Sequence, residues 1–412
     1  MATIKPFQPY RYTPKAGDPS KLLTQPYDKI DAEMQARYLA ASPYNLVRII
    51  LGEKRLSDDE SDNVYTRAAA HLNGWIRDGI LAQDPAPGVY AYFQEFDVPD
   101  TDERLTRKGF IALAQIEDYS AGIVFRHEQT LSGPKKDRLE LLRHTRAHFG
   151  QIFMLYPDRE GAVDHVLDKA AAAPPAVSVI DEYHARHSLW PIADPAEIAH
   201  VEALMADKKL LIADGHHRYE TALAYRNENP RDPAAQFVMM TLVNMHSPGL
   251  RILATHRVVR GLGNFDPVKF FEHAVKAGWS VAACQSADEL KQRLSDRDPK
   301  LVQIGVVASG EARLMQRARK IGQLDVPILH QDILGGLLGI SEEAVRDEKF
   351  LKYVRGIDAA IAAVRNGGQI AFLLEPTPID DMARIAFSGG VMPQKSTDFY
   401  PKLLSGLTIY KL

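Results

Sequence analysis

The segment Leu210-Leu211-Ile212-Ala213-Asp214-Gly215-His216-His217-Arg218-Tyr219 constrains the fold more than any other part of the chain. Four consecutive apolar residues run into Asp-Gly and then into a polar stretch reaching about residue 227. That order predicts a buried strand, a tight turn and a helix. Strand and helix patterns alternate in the same way along most of the 412 residues. The fold class expected is therefore α/β, with a mixed α+β arrangement as its variant.

Asp31 is placed to cap a short helix ending near Ala41, and residues 58–79 read as a longer one, with Val64, Ala68, Leu72, Trp75 and Ile76 on one stripe. Strands are expected near Val89–Val98 and Lys108–Ile116, a helix from Lys135, a strand over Gln151–Tyr156, a helix over 159–172 and a strand over 177–183. Helix 195–206, strand 209–213, helix 216–227 and strands 236–244 and 251–259 follow. Gly261-Leu262-Gly263-Asn264 reads as a boundary between an N-terminal α/β region, 1–262, and a C-terminal α/β domain, 263–412. The second region is expected to hold helix 266–277, strand 279–283, helix 286–295, strand 302–308, helices around 327–345 and 356–366, strand 369–374, helix 378–387 and a final strand over Leu407–Tyr410.

Charge and cysteine usage exclude several function classes. Lys and Arg total 50 against 53 Asp and Glu, a net charge of −3, which gives no global attraction to nucleic acid or anionic lipid. The single cysteine, Cys284, can form neither an intramolecular disulfide nor a multi-cysteine zinc site. That usage suits a reducing compartment, no stretch approaches the ~18 apolar residues of a membrane span, and the start Met1-Ala2-Thr3-Ile4-Lys5-Pro6 is not a secretory signal, so a cytoplasmic location is expected. The P-loop, the dinucleotide-binding glycine fingerprint and the nucleophile elbow are absent from the sequence.

The residues after the Leu210–Ala213 run can build an anion site. A helix start exposes backbone N–H groups and the positive end of the helix dipole. Gly215 permits close backbone approach, Arg218 can clamp oxygens, and His216 and His217 can donate hydrogen bonds or move a proton. Being about 100° apart on a helix, the two histidines are poorly placed to share one metal. The same pattern would also arise if Asp214 simply capped the helix and the histidines packed locally. A second polar loop, Arg126-His127-Glu128 with Thr130, feeds a helix carrying Lys136 and Arg138, cations set where a helix start prefers acids. It is equally what a solvated loop capped by Asp137 would look like, and it is no zinc-protease motif, because Leu131 stands where a second histidine is needed. His256 and Arg257 end an apolar strand, where a core histidine is the first reading. Lys395, Ser396 and Thr397 sit in a Gly/Pro-bounded loop that suits either phosphate or a plain polar turn.

Six ordered stretches carry a resemblance. They are Gln25-Pro26-Tyr27-Asp28, Arg126–Thr130, Lys136-Asp137-Arg138, Ala213–Arg218, Thr255-His256-Arg257, and Met392–Thr397 with Tyr400-Pro401-Lys402. Over nearly its whole length the chain resembles the uncharacterised family called domain of unknown function (DUF) 1015. Asp214-Gly215-His216-His217-Arg218 also resembles the phosphate motif of the ParB/sulfiredoxin superfamily, in the wording of the free serine kinases, which phosphorylate serine with a nucleotide. This resemblance implies a ParB/sulfiredoxin-like core with insertions. It implies a nucleotide-dependent small-molecule kinase or related phosphoryl-transfer enzyme, with a free amino acid such as serine as one acceptor. The alternative is a non-catalytic nucleotide-binding regulator. The implied cofactor is ATP or ADP, with or without magnesium, and no structural metal. Asp214, His216, His217 and Glu128 would be catalytic. Gly215, Arg218, Arg126, His127, Thr130, Lys136, Arg138, His256, Arg257, Lys395, Ser396 and Thr397 would hold phosphate or substrate, and these groups are expected to line one cleft. Sulfinate reduction is disfavoured, since Cys284 lies far from the motif.

Overall fold

In a computed structural model that describes residues 2–128, 132–320 and 322–412, the Leu210–Ala213 run is buried within a strand ending at Asp214. The chain divides into two compact units: Met1–Arg126, Thr130–Leu250 and Pro401–Leu412 form unit 1, and His127–Gln129 with Arg251–Tyr400 form unit 2. Both units are α/β, as the alternation requires. The division falls at residue 250, before the expected boundary at 262: the strands between Arg251 and Tyr400 pair with one another, and the last twelve residues return to unit 1, where Tyr410–Lys411 pairs with Ala147–His148.

Unit 1 is built on a nine-stranded mixed sheet. Its strands are β1 (Ile4–Lys5), β2 (Val89–Asp97), β3 (Arg104–Gln115), β4 (Val124–Phe125), β5 (Ile152–Tyr156), β6 (Val177–Ile180), β7 (Arg186–Ile192), β8 (Leu210–Asp214) and β9 (Phe237–Asn244). They lie in the order β4-β8-β5-β9-β3-β2-β7-β6, with β1 on β3. The strand β8 runs parallel to β4 and antiparallel to β5. Helices α1 (Ala32–Ala41), α2 (Val64–Arg77), α3 (Ser132–Thr145), α4 (Ala162–Ala171), α5 (Pro195–Met205) and α6 (His216–Glu228) belong to this unit. Asp31 caps α1 by accepting from Met34 N at 2.8 Å, as its position predicts. The α2 stripe buries Ala68, Leu72 and Trp75. Asp137, expected as a cap, lies inside α3, which begins at Ser132, and instead accepts from Tyr65 Oη at 2.8 Å. Residues 181–185 form a tight turn, with the Asp181 carboxylate accepting from Tyr183 N and Ala185 N at 2.9 Å each and His184 at φ 63°. That turn divides the expected strand over 177–183 and generates β7, which the sequence reading lacked.

Unit 2 has a six-stranded sheet, comprising β11 (Thr255–Val259), β12 (Ser280–Cys284), β13 (Leu301–Ala308), β14 (Glu311–Ala318), β15 (Leu351–Arg355) and β16 (Ile370–Leu373) in the order β12-β14-β13-β16-β11-β15. A separate pair joins β10 (Arg251–Leu253) to β17 (Asp398–Tyr400). The strand β14 has a helix-favouring sequence, Glu-Ala-Arg-Leu-Met-Gln-Arg-Ala, and was not expected. Ser309 and Gly310, at φ 49° and 82°, turn the chain as a tight hairpin and pair β14 with β13 over eight residues. The stretch expected as helix around 327–345 is a short α-helix, a π-helix over Leu329–Leu337 and a further helix over Glu342–Arg346. Cys284 ends β12 opposite Ala312, partly buried, with Arg293 Nη1 3.7 Å from its sulfur. Among the described residues no helix is long and apolar enough to cross a membrane.

Backbone packing in unit 1 is closest at Gly249, where an added Cβ would lie 2.0 Å from Thr106 O. At Gly263 nothing lies within 4 Å of the same atom. Gly249→Ala should therefore destabilise by about 1–3 kcal/mol or more, and Gly263→Ala by less than about 0.5 kcal/mol, in urea unfolding.

Candidate functional site

The helix α6 starts on Gly215, whose φ of 93° and ψ of 28° suit glycine alone. A Cβ there would also lie 3.1 Å from Arg218 Cζ, so glycine lets the guanidinium fold back over the turn. Gly215 brings no side chain to cap α6, and Asp214 does not cap it either. A bulge in β8 between Ile212 and Asp214 shifts the register, setting Asp214 opposite Phe153. The Asp214 carboxylate then takes Arg218 Nη2 at 2.8 Å and Lys402 Nζ at 3.4 Å. Burial alone would raise this carboxyl, but Lys402, Arg218, Lys29 and His216 outweigh burial and hold it far below the ordinary carboxylate range. Arg218 also donates through Nη1 to the carbonyl of Gln151. The sequence reading aimed this arginine at a ligand; in the fold its guanidinium is tied to Asp214 and Gln151. The buried side-chain amide of Gln151 has no hydrogen-bond partner among the described residues. A narrow cavity of about 70 Å³ beside Arg218 is lined by Tyr27, Arg138, Phe149, Gly150 and Ser405 among others. At ~30 Å³ per water, it has room for a small group rather than a nucleoside.

Lys402 is a residue that sequence reasoning quoted but gave no role. Its position is set by a row of buried polar side chains crossing three strands in register, His187 on β7, Gln94 on β2 and Arg107 on β3. Arg107 Nε donates to Gln94 Oε1 at 3.0 Å, and Arg107 Nη2 donates to Pro401 O. Gln94 Nε2 donates to Lys402 O at 2.9 Å. Leu404 N donates to Tyr92 Oη at 3.3 Å, and Tyr92 Oη lies 2.6 Å from His187 Nδ1. His187 Nε2 sits 3.1 Å from the Asp181 carboxylate. A carboxylate at Nε2 calls for a proton there, which leaves Nδ1 to accept from Tyr92. Burial lowers His187 and keeps the ring neutral.

Two of the remaining expected residues of unit 1, Arg138 and Arg126, are engaged with other parts of the chain. Arg138 pairs with Asp137, donates to Ile50 O at 2.6 Å and covers the Tyr27 ring at 4.2 Å. Arg126 reaches Glu220 on α6 at 3.5 Å and lies over Tyr119. Lys136 is exposed on α3. Thr130 lies outside the described residues.

Unit 2 brings another expected set together. His127 is fully buried with Nε2 2.8 Å from Thr397 Oγ1. Lys395 N donates to Glu128 Oε1 at 3.0 Å, and Lys395 O accepts from Arg257 Nη2 at 2.9 Å. Ser396 Oγ donates to Pro393 O at 2.6 Å, and Ser396 O accepts from Thr377 Oγ1 at 3.0 Å. His256 Nδ1 accepts from Leu374 N at 3.2 Å, and burial, with Arg257 beside it, lowers its pKa from 6.5 to about 4. The residues expected to share one site therefore belong to two units, each cluster built within its own.

A family model described as protein of unknown function (DUF1015) matches residues 4–329, most of the chain. The protein belongs to the DUF1015 family. No protein with a curated description matches it. Among solved structures, the chain is similar to a mutant free serine kinase in complex with ADP, at 11% identity and a TM-score of 0.39, over 72% of this chain and 92% of that one. A conserved hypothetical protein from Pyrococcus furiosus gives 11% and 0.37, over 72% and 94%. SbnI with a C-terminal truncation, from Staphylococcus aureus, gives 10% and 0.37, over 72% and 87%.

Two stability effects follow for this DUF1015 chain. Arg218→Ala should cost about 1–3 kcal/mol in urea unfolding, because Asp214 and the Gln151 carbonyl lose their donor. Acid should weaken the fold in two windows. His256 has a folded value of about 4 against 6.5 unperturbed, so its contribution is complete above pH 6.5 and lost as pH falls towards 4. Asp214, depressed in the fold, contributes above the usual carboxylate range and loses that contribution as pH falls below it. His256→Gln should flatten the upper window in pH-dependent melts and leave the lower one.

Proposed function

We propose that the protein is a nucleotide-dependent phosphotransferase acting on a small hydroxyl-bearing molecule, with a free amino acid such as serine as the acceptor class. One observation carries the reading: a single carboxylate, Asp214, is held ionised at the start of a long helix among Lys402, Arg218, Lys29 and His216. Positive groups in excess of one acid, at the positive end of a helix dipole, favour a phosphate group. The motif's resemblance to the free serine kinases supplies the reaction class. Phosphoryl transfer asks mainly for positioning and charge neutralisation, which this arrangement offers. Lys402 and Lys29 would neutralise the phosphates. Arg218 would hold Asp214 rather than phosphate. The acceptor hydroxyl would form the new P–O bond as the terminal phosphoanhydride bond of the nucleotide breaks, β–γ in ATP or α–β in ADP, and its proton would pass to His217, part-buried on the first turn of α6. Asp214 is too acidic in the fold to take that proton. Its carboxylate would orient Lys402 or share a magnesium ion with phosphate and water. Among the described residues no three His, Cys, Asp or Glu side chains form a metal-holding group, so such an ion would depend on the nucleotide.

The weak proton affinity of Asp214 also favours a second reading, a nucleotide-binding regulator without turnover. Incubation with ATP or ADP and a panel of free amino acids distinguishes the two: the enzyme forms ADP or AMP, respectively, and phosphorylated acceptor in equal amounts, and the regulator binds without loss of nucleotide. In calorimetric titration, Lys402→Met should weaken nucleotide binding about tenfold to a hundredfold, the loss of one charge-assisted contact, with an unchanged circular dichroism spectrum. Failure of the wild type to bind any nucleotide would remove the phosphate reading.

A further inference from the structure

Arg257 lies on β11 in unit 2 and is fully buried. Its Nη1 donates to Thr255 O and its Nη2 to Lys395 O, both neutral carbonyls. Among the described residues its Nε has no hydrogen-bond partner and the guanidinium joins no ion pair. Burial lowers its pKa to about 10, with Tyr353 and Glu128 acting against that shift. Burying a guanidinium against neutral partners with one N–H unsatisfied costs several kcal/mol, and such a group persists where something else requires it.

Two more unsatisfied atoms share the charge field of Arg257. Tyr353, directly opposite on β15, lies with its ring 5.2 Å from the guanidinium, and its hydroxyl has no partner. His330, whose ring is pushed down to about 3 by burial and by Arg257, has an unpartnered Nε2. His330 is carried by the Leu329–Leu337 π-helix, a form found mostly at functional positions. Tyr353 and His330 each keep part of their surface open to solvent, while the three unpartnered atoms themselves are buried. The Lys395 backbone beside it is left-handed at φ 56°, a strained conformation for lysine held by the Glu128, Ser396 and Thr377 hydrogen bonds described above.

We propose that unit 2 carries an oxyanion site in which Arg257 Nε–H, the Tyr353 hydroxyl and His330 Nε2 take the oxygens of a carboxylate or phosphate on a small ligand. The charge is a buried cation, and each unused atom can donate, His330 in the tautomer protonated on Nε2. An anion with two or three acceptor oxygens satisfies all of them, which a cation or an apolar group would not. The strained Lys395 turn places its carbonyl on Nη2, which fixes the guanidinium plane and leaves Nε for the ligand. The site is argued from unit 2 alone and does not rest on the phosphotransferase reading of unit 1.

Acetate and inorganic phosphate, titrated separately into the full chain by calorimetry and thermal melting, test it. Lys402→Met, which removes a phosphate contact of unit 1, should still show a binding site for at least one of them, and that residual site is the one assigned to unit 2. Acetate alone indicates a carboxylate ligand, and phosphate alone a phosphorylated one. Tyr353→Phe should weaken that binding about tenfold while leaving the ligand-free melting temperature unchanged or higher, since its hydroxyl has no bond to lose. Arg257→Lys should weaken it at least about tenfold through loss of the planar fork. If Arg257→Lys fails to fold, Tyr353→Phe decides alone. The proposal is overturned if neither anion binds the wild type, which would mean that solvent satisfies these atoms. It is also overturned if Tyr353→Phe binds as the wild type does, or if binding disappears in Lys402→Met, which would assign it to unit 1.

Discussion

Lys402 reaches Asp214 because backbone groups of Pro401, Lys402 and Leu404 are gripped by side chains of the adjacent strands β2 and β3. Arg107 holds the carbonyl of Pro401, Gln94 that of Lys402, and Tyr92 the N–H of Leu404. Each gripping atom is oriented by the next: Arg107 fixes Gln94, Tyr92 binds His187, and Asp181 sets the His187 tautomer. A half-satisfied buried polar network would cost more than an apolar core, so the members stand or fall together. The same return of the chain pairs Ser405 with Thr24 and Ile409 with Tyr10, closing unit 1 around both ends of the sequence. The basic side chain at the helix start is thereby supplied from nearly 190 residues along the chain, by backbone hydrogen bonds that carry no sequence signature of their own.

The Asp-Gly-His-His-Arg motif changes meaning once it is folded. Read as a string, its arginine is the group that meets an anion. Folded, Arg218 lies back over Gly215, where only a missing Cβ leaves room, and joins Asp214 to the edge of β5 through the Gln151 carbonyl. A cation on the first turn opposes the helix dipole, and the Asp214 carboxylate at 2.8 Å compensates that cost internally. The motif thus builds a rigid corner, and the other positive groups facing Asp214 there are Lys402 and Lys29.

Local patterns with one interpretation were legible in the sequence. The Leu210–Ala213 run is a buried strand, Asp31 caps α1, and the Val64–Trp75 stripe faces the core. What escaped was set by distant partners. Glu311–Ala318 has the composition of a helix and becomes a strand because a two-residue turn of Ser309 and Gly310 lays it against β13. His187 and Gln94 sit in strands with no motif around them, and only the register between β2 and β7 makes them neighbours. His256, by contrast, follows the first reading of its apolar strand: its ring accepts a backbone N–H inside the core. Motif spelling therefore marks the corners of the chain at Gly215 and Lys395, and only the fold shows which side chains there are tied to other parts of it.

Two buried arginines show where availability comes from. Arg107 and Arg257 are both almost wholly excluded from solvent, both are lowered to about 10 by burial, and both donate to backbone carbonyls. Arg107 also has its Nε on Gln94 Oε1 and lies over the Phe153 ring at 4.6 Å, within a network that ends on an anchored carboxylate. That guanidinium acts on the chain itself. Arg257 stands opposite Tyr353 across the sheet and its charge reaches His330, and among the described residues Arg257 Nε, the Tyr353 hydroxyl and His330 Nε2 have no hydrogen-bond partner. In a low-dielectric interior an unmet donor is costly in proportion to how firmly its surroundings are fixed, because they cannot relax to meet it. The strand pairing of β11 with β15 and the hydrogen-bonded turn at Lys395 supply that rigidity. A fold that fixes a cation so firmly while leaving its hydrogen bonds incomplete is organised around something that is not part of the chain.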